Sequence, residues 1–167
     1  MPEPDALWLV TDGSVYEKES RMSERPYQVL FLSRRNSARS IMAEAILNSI
    51  GGGRVTAHSA GVVPADSVEP IALELLEHAG LRPAGLRPQH ASELARPESP
   101  PLDFVFTLSD TAAGDTPPGW RGQPITAHWR CDEPEKVGDE TERRLMLIRV
   151  RSELVRRIRL FIKLPLA

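Results

Sequence analysis

The stretch "VLFLSRRNSARSIMAEAIL", Val29 to Leu47, decides the fold. Five apolar or near-apolar residues end at Ser33, a small-residue turn carrying Arg34, Arg35 and Arg39 follows, and an apolar-periodic helix begins at once. Strand, tight turn and helix in immediate succession form the opening of a βαβ unit. The first turn of such a helix has backbone N–H groups without partners, and they point at whatever anion sits in the loop. Ser33 at the strand end and the arginines behind it are therefore the first candidates for chemistry.

Further strands are expected at Val55 to Ser59, Phe104 to Leu108 and Pro124 to His128, beside the first at Gln28 to Leu32; each is short and rich in β-branched or aromatic residues. The first helix should run from about Ser37 to Ile50 and stop at Gly51-Gly52-Gly53, with Ser37, Ser40, Glu44 and Asn48 as its polar stripe. A second spans Pro70 to Ala79, opened by proline and closed by Gly80. A helical turn is expected at Ala91 to Ala95. The last helix, about Glu140 to Lys163, carries a stripe of Leu145, Ile148, Val155, Ile158 and Ile162. Strands alternating with helices predict an α/β fold: a doubly wound, four-stranded parallel sheet with helices on both faces and the anion loop after the first strand.

With 167 residues, 41% hydrophobic and 26% charged, the chain fits one domain with a real core. Residues 25–167 read as that domain and residues 1–24 as an N-terminal extension: a tail, an extra edge strand, or a start assigned upstream of Met22. The 21 basic and 23 acidic residues leave a formal charge of −2, which gives no global field for nucleic acid or an anionic membrane. Cys131 is the single cysteine, so no internal disulfide forms, and with neither a leader nor a long apolar run in view the expected compartment is the cytoplasm.

The segment "FLSRRNSARSIMAEAIL" resembles the phosphate loop of the low-molecular-weight protein tyrosine phosphatases and the thioredoxin-coupled arsenate reductases, whose pattern is Cys, five residues, Arg, Ser. The segments "AHSAG", "ALELLEHAG", "LDFVFTLSDTAAGD" and "GQPITAHW" resemble the arsenate-reductase branch in order and spacing, over about residues 27 to 164. The resemblance implies an oxyanion cradle at Ser33, Arg34, Arg35, Asn36, Ser37, Ala38, Arg39 and Ser40. Within it Arg39 forks two donors onto the anion, and Asn36 and Ser40 brace the loop. It also implies that Glu133, with Asp132 beside it, stands where relatives carry the acid that protonates a leaving group.

The chain departs from that pattern at every thiol. The nucleophilic cysteine falls on Ser33, and the two relay cysteines fall on Ser109 and on Thr116 or Pro117. A serine hydroxyl does not ionise in a setting that ionises a thiol, and of the four histidines, His58, His78, His90 and His128, only His128 comes near the acid loop. Arsenate reduction needs two electrons from thiols, and Cys131 is alone. The expectation is a non-catalytic binder of phosphate, sulfate, arsenate or a phosphorylated ligand that requires no cofactor. The alternatives are an active enzyme using Ser33 or Cys131, and a structural or dimerisation module with a vestigial loop.

Asn36, Glu44 and Ser59 match residues that hold potassium in some arsenate reductases; their plainer roles are helix capping for Asn36 and a solvated face for Glu44. Arg34 and Arg35 either strengthen the anion site or point to water. The basic residues of the last helix form either a solvated face or a docking face for an acidic protein partner.

Overall fold

The computed structural model describes residues 25–81, 84–114 and 119–166. Strands β1 (Tyr27–Ser33), β2 (Val55–Gly61), β3 (Phe104–Thr107) and β4 (Ile125–His128) form one parallel sheet in the order β2-β1-β3-β4. Helices α1 (Arg39–Ile50), α2 (Pro70–His78), α3 (Asp110–Gly114) and α4 (Glu140–Ile162) connect or follow the strands. Two short 3₁₀ turns, Ala91–Ala95 and Pro134–Lys136, complete the elements. The expected architecture is present.

The continuous apolar run of β1 is explained by burial on both sides, the condition of a central parallel strand. Val29 and Phe31 face a core shared with α1, α2 and α4, whereas Leu30 and Leu32 face a smaller cluster built with Leu94, Leu102, Val105 and Ala112. The longer helices therefore occupy one face, and the Ala91–Ala95 turn and α3 cover the other. An aromatic stack holds the larger core to the sheet: the rings of Phe106 and Trp129 lie 3.9 Å apart and nearly parallel, and Phe161 of α4 meets Phe106 edge-on at 5.2 Å.

Three readings of the sequence need correction. The buried stripe of α4 is Leu147, Val150, Leu154, Ile158 and Phe161, while Leu145 is 57% exposed and Ile148, Val155 and Ile162 only flank the core. The long helix is apolar enough on two adjoining stripes that periodicity alone cannot choose between them. The polar stripe of α1 faces β2 and the loop as well as solvent. Asn48 accepts from the Ala57 amide at 2.8 Å and donates to the Ala57 carbonyl at 3.1 Å, and Glu44 accepts from Ser59 at 3.0 Å. Asn48 thus pairs with backbone of the edge strand β2 that lacks a neighbour in the ladder on that side. Helix α3 was not anticipated; five residues are too few for a period, although Ser109 marks its start by accepting from the Ala112 amide at 3.2 Å.

Readings of residues 1–24, Thr116 and Pro117 fall outside the described residues. No helix among the described residues is long and apolar enough to cross a membrane.

Candidate oxyanion site

Strands β1 and β2 end together, with Ser33 in register with Gly61. The chain then leaves β1 through residues 34–38, and this loop is fastened by its own backbone: the Ser33, Arg34 and Arg35 carbonyls accept from the amides of Val62, Val63 and Ala65 at 3.2, 2.8 and 2.8 Å. Gly61 is required here for space. A Cβ at that position would stand 2.9 Å from the Arg34 carbonyl oxygen and 3.0 Å from the Asn36 Cβ.

Asn36 turns the loop. It adopts φ 49°, the left-handed region that asparagine tolerates better than most residues. Its side-chain nitrogen donates to Ser40 Oγ at 2.8 Å and its oxygen accepts from the Gln89 amide at 2.8 Å. This is bracing, as expected, and not helix capping; the N-cap of α1 is Ala38, which has no side-chain cap. The first turn of α1 therefore carries no side-chain cap. Ser33 and Ser40 share a hydrogen bond at 2.8 Å, and the Asn36 amide donates to Ser33 Oγ at 3.1 Å.

Arg39 is 2% exposed. Its Nη2 donates to Glu135 Oε1 at 2.9 Å, and its Nη1 is buried with no hydrogen-bond partner. A buried guanidinium with an idle donor is rare, because each unmatched buried donor costs about 1–3 kcal/mol. Arg34 and Arg35 are exposed, as are Asp132 and Arg130.

The loop after β4 departs from expectation in one respect. Glu133 is ion-paired with Lys136, which holds its carboxyl below the usual range. It is Glu135 that meets Arg39. The sequence carried no signal for this, because the acid pattern ends at Glu133-Pro134 and the contact spans 96 residues of chain. Gln89 was missed as well: it donates to Asn36 through its amide and to the Ser59 carbonyl through its side chain at 2.8 Å, which ties the loop to β2.

His128 is engaged at both ring nitrogens, with Thr107 Oγ1 at 2.8 Å and Asp110 Oδ1 at 3.0 Å, and so is a hydrogen-bonded strand-end residue. Cys131 is 4% exposed, and burial pushes its thiol up to about 11. The Glu44 carboxyl is raised to about 7 by burial, against the opposing effect of the Ser59 hydrogen bond. Glu44 is thus not on a solvated face. Asn36, Glu44 and Ser59 lie on one connected network, the first linked to the third through Gln89.

A family model described as low molecular weight phosphotyrosine protein phosphatase matches residues 28–163. The chain belongs to this family. The chain is 31% identical over 134 residues to an arsenate reductase of Halalkalibacterium halodurans, covering 80% of itself and 93% of that protein. It is 29% identical over 108 residues to the glutaredoxin arsenate reductase of Synechocystis, covering 65% of itself and 79% of the other. Solved structures agree. The arsenate reductase of Archaeoglobus fulgidus superposes with a TM-score of 0.61 at 26% identity, over 80% of this chain and 98% of that one. An arsenate reductase in its phosphate-binding state gives 0.64 at 26%, over 81% and 96%. The family's parallel sheet with its loop after the first strand is therefore the setting in which Ser33, Asn36, Arg39 and Ser40 come together.

Proposed function

We propose that this member of the low molecular weight phosphatase family binds a tetrahedral oxyanion, phosphate or arsenate, or a phosphorylated ligand, and performs no thiol chemistry on it. The observation that carries the reading is Arg39: a fully buried guanidinium at the end of the anion loop, with one donor idle. Alongside the α1 amides it is suited to a tetrahedral anion.

Ser33 stands where arsenate reductases are expected to carry their nucleophile. Its hydroxyl meets Ser40 and the Asn36 amide, and no base reaches it among the described residues. His128 is occupied elsewhere, and Glu133, held ionised by Lys136, lacks the proton that a leaving group needs. The same facts weigh against catalysis by Cys131, whose thiol at about 11 is almost wholly protonated at neutral pH. For an acidic protein partner, α4 offers chiefly Arg149, Arg156, Arg159 and Lys163. Arg144 is paired with Glu74, Arg157 with Glu153, and Arg151 donates to the Leu75 carbonyl.

Thermal denaturation in phosphate, sulfate or arsenate tests the reading, since a ligand that binds only the folded state raises the melting temperature. Millimolar phosphate at low ionic strength should raise Tm in the wild type, and Arg39→Ala should remove most of the rise. An unmoved Tm would reject oxyanion binding in favour of a vestigial loop. Hydrolysis of a small aryl phosphate by the wild type would reject the non-catalytic part.

A further inference from the structure

Glu135 puts a carboxylate on the arginine that the oxyanion needs. Its side chain makes one hydrogen bond among the described residues, Arg39 Nη2 to Oε1 at 2.9 Å, and is 27% exposed, against 2% for Arg39. It rises from the short turn Pro134–Lys136, whose own geometry is kept by other contacts: Pro134 is buried, the Lys136 and Val137 amides donate to the Glu133 and Pro134 carbonyls, and the Lys136 ammonium is committed to Glu133. The turn is therefore built without help from the Glu135 carboxylate. That group reaches across 96 residues of chain to take half of a buried fork whose other half has no partner.

From this pairing we infer that Glu135 is an internal competitor for the oxyanion. Its carboxylate occupies one arm of Arg39 in the free protein and leaves when a tetrahedral anion takes both arms. The inference rests on the oxyanion reading above and adds how tightly, and at what exchange, the site binds. A guanidinium fork accepts one oxyanion in bidentate fashion, and two anions crowded onto one cation in a poorly solvated place repel each other. The partial exposure of Glu135 gives the released carboxylate a path to water. Beside it lies a cleft of about 370 Å³, lined by Arg35, Ser37, Glu69, Glu135 and Arg143 among others, with room for the displaced side chain. Glu135 is thus a residue that sets affinity, separate from the acid position at Glu133.

Titration calorimetry of inorganic phosphate into the full chain tests this, comparing wild type, Glu135→Gln, Glu135→Ala and Arg39→Ala at fixed pH and ionic strength. Glu135→Gln is nearly isosteric and keeps the turn's packing, and near-ultraviolet dichroism of the tryptophans verifies the fold of each variant. Both Glu135 variants should bind phosphate about tenfold more tightly, the scale of one charge-assisted hydrogen bond, and Arg39→Ala should not bind. Binding seen only in the Glu135 variants would also support the competitor. Equal or weaker binding in both Glu135 variants than in wild type, with Arg39→Ala inactive, would overturn it while leaving the oxyanion reading intact. Absence of binding in wild type and both Glu135 variants would overturn the two together.

Discussion

The Ser33 hydroxyl lies 2.8 Å from that of Ser40 and accepts from the Asn36 amide at 3.1 Å, so the atom at the end of β1 sits between an amide donor and a hydroxyl that is able to donate. A neutral oxygen makes little of this arrangement. A negative charge at the same place would be stabilised by those donors, by the start of α1 and by Arg39.

Ser33→Cys should accordingly create a thiol with a pKa below the ordinary value of about 8.5, measurable from the pH dependence of thiolate absorbance. The variant should hydrolyse a small aryl phosphate slowly, since Glu133 is a poor proton donor, and should reduce no arsenate, since Ser109 offers no thiol to a relay. Wild-type turnover that survives Cys131→Ser and vanishes in Ser33→Ala would contradict this account.

Glu44 supplies a prediction about pH. Its carboxyl titrates near 7 in the folded protein and at 4.5 when unperturbed, so between those values the folded state holds a proton that the unfolded state has released. Stability from this group is complete below the lower value and falls as pH rises to the upper one, by roughly 3 kcal/mol in all. Glu44→Gln should flatten that fall. His58, whose pKa is lowered by burial, contributes alike to both proteins, so the difference between their chemical denaturation midpoints from pH 4 to 8 isolates Glu44.

We further propose Asn36, Glu44 and Ser59 as a potassium site. The Glu44 carboxyl accepts from the Ser59 hydroxyl and Asn36 joins that network through Gln89, and a cation there would offset the burial that disfavours the Glu44 carboxylate. Above pH 7, potassium should then raise the melting temperature relative to tetramethylammonium at matched ionic strength. Equal melting temperatures would remove the site.

Gly61→Ala should cost about 1–3 kcal/mol in urea denaturation, because the new Cβ meets backbone that cannot retreat without breaking the Val62 and Val63 hydrogen bonds to the loop. The phosphate-induced rise in Tm should shrink with it. Unchanged stability would mean that the loop is less firmly held than these contacts imply.

Cys131 should be inert in the folded chain. With its thiol at about 11, roughly one molecule in a thousand carries a thiolate at pH 8, so reaction with an aromatic disulfide reagent should be slow until denaturant is added. Rapid native-state labelling would count against its burial.

The passage from β1 through the loop into α1 was legible because everything that shapes it is local: an apolar run, small residues where the backbone turns, and an arginine six residues after Ser33. The alternation of strands and helices was legible for the same reason, and it predicted the parallel sheet. The face of α4 was not. Leu145 and Leu147 are equally apolar, and only the packing of the helix against the core, chiefly against α1, selects Leu147. Likewise Glu44 read as part of a solvated face until β2 places Ser59 opposite it.

By itself, then, the sequence determined the class of fold, the passage from strand through loop to helix at its centre and the single cysteine, Cys131, since periodicity and side-chain identity are properties of neighbouring residues. Tertiary structure alone decided that Glu135 rather than Glu133 meets Arg39, that Gln89 braces Asn36, and that Glu44 is half-buried against Ser59. Each of these depends on where distant segments come to rest, and a buried charge or a long-range hydrogen bond is set by the packing of the whole core rather than by any spacing along the chain.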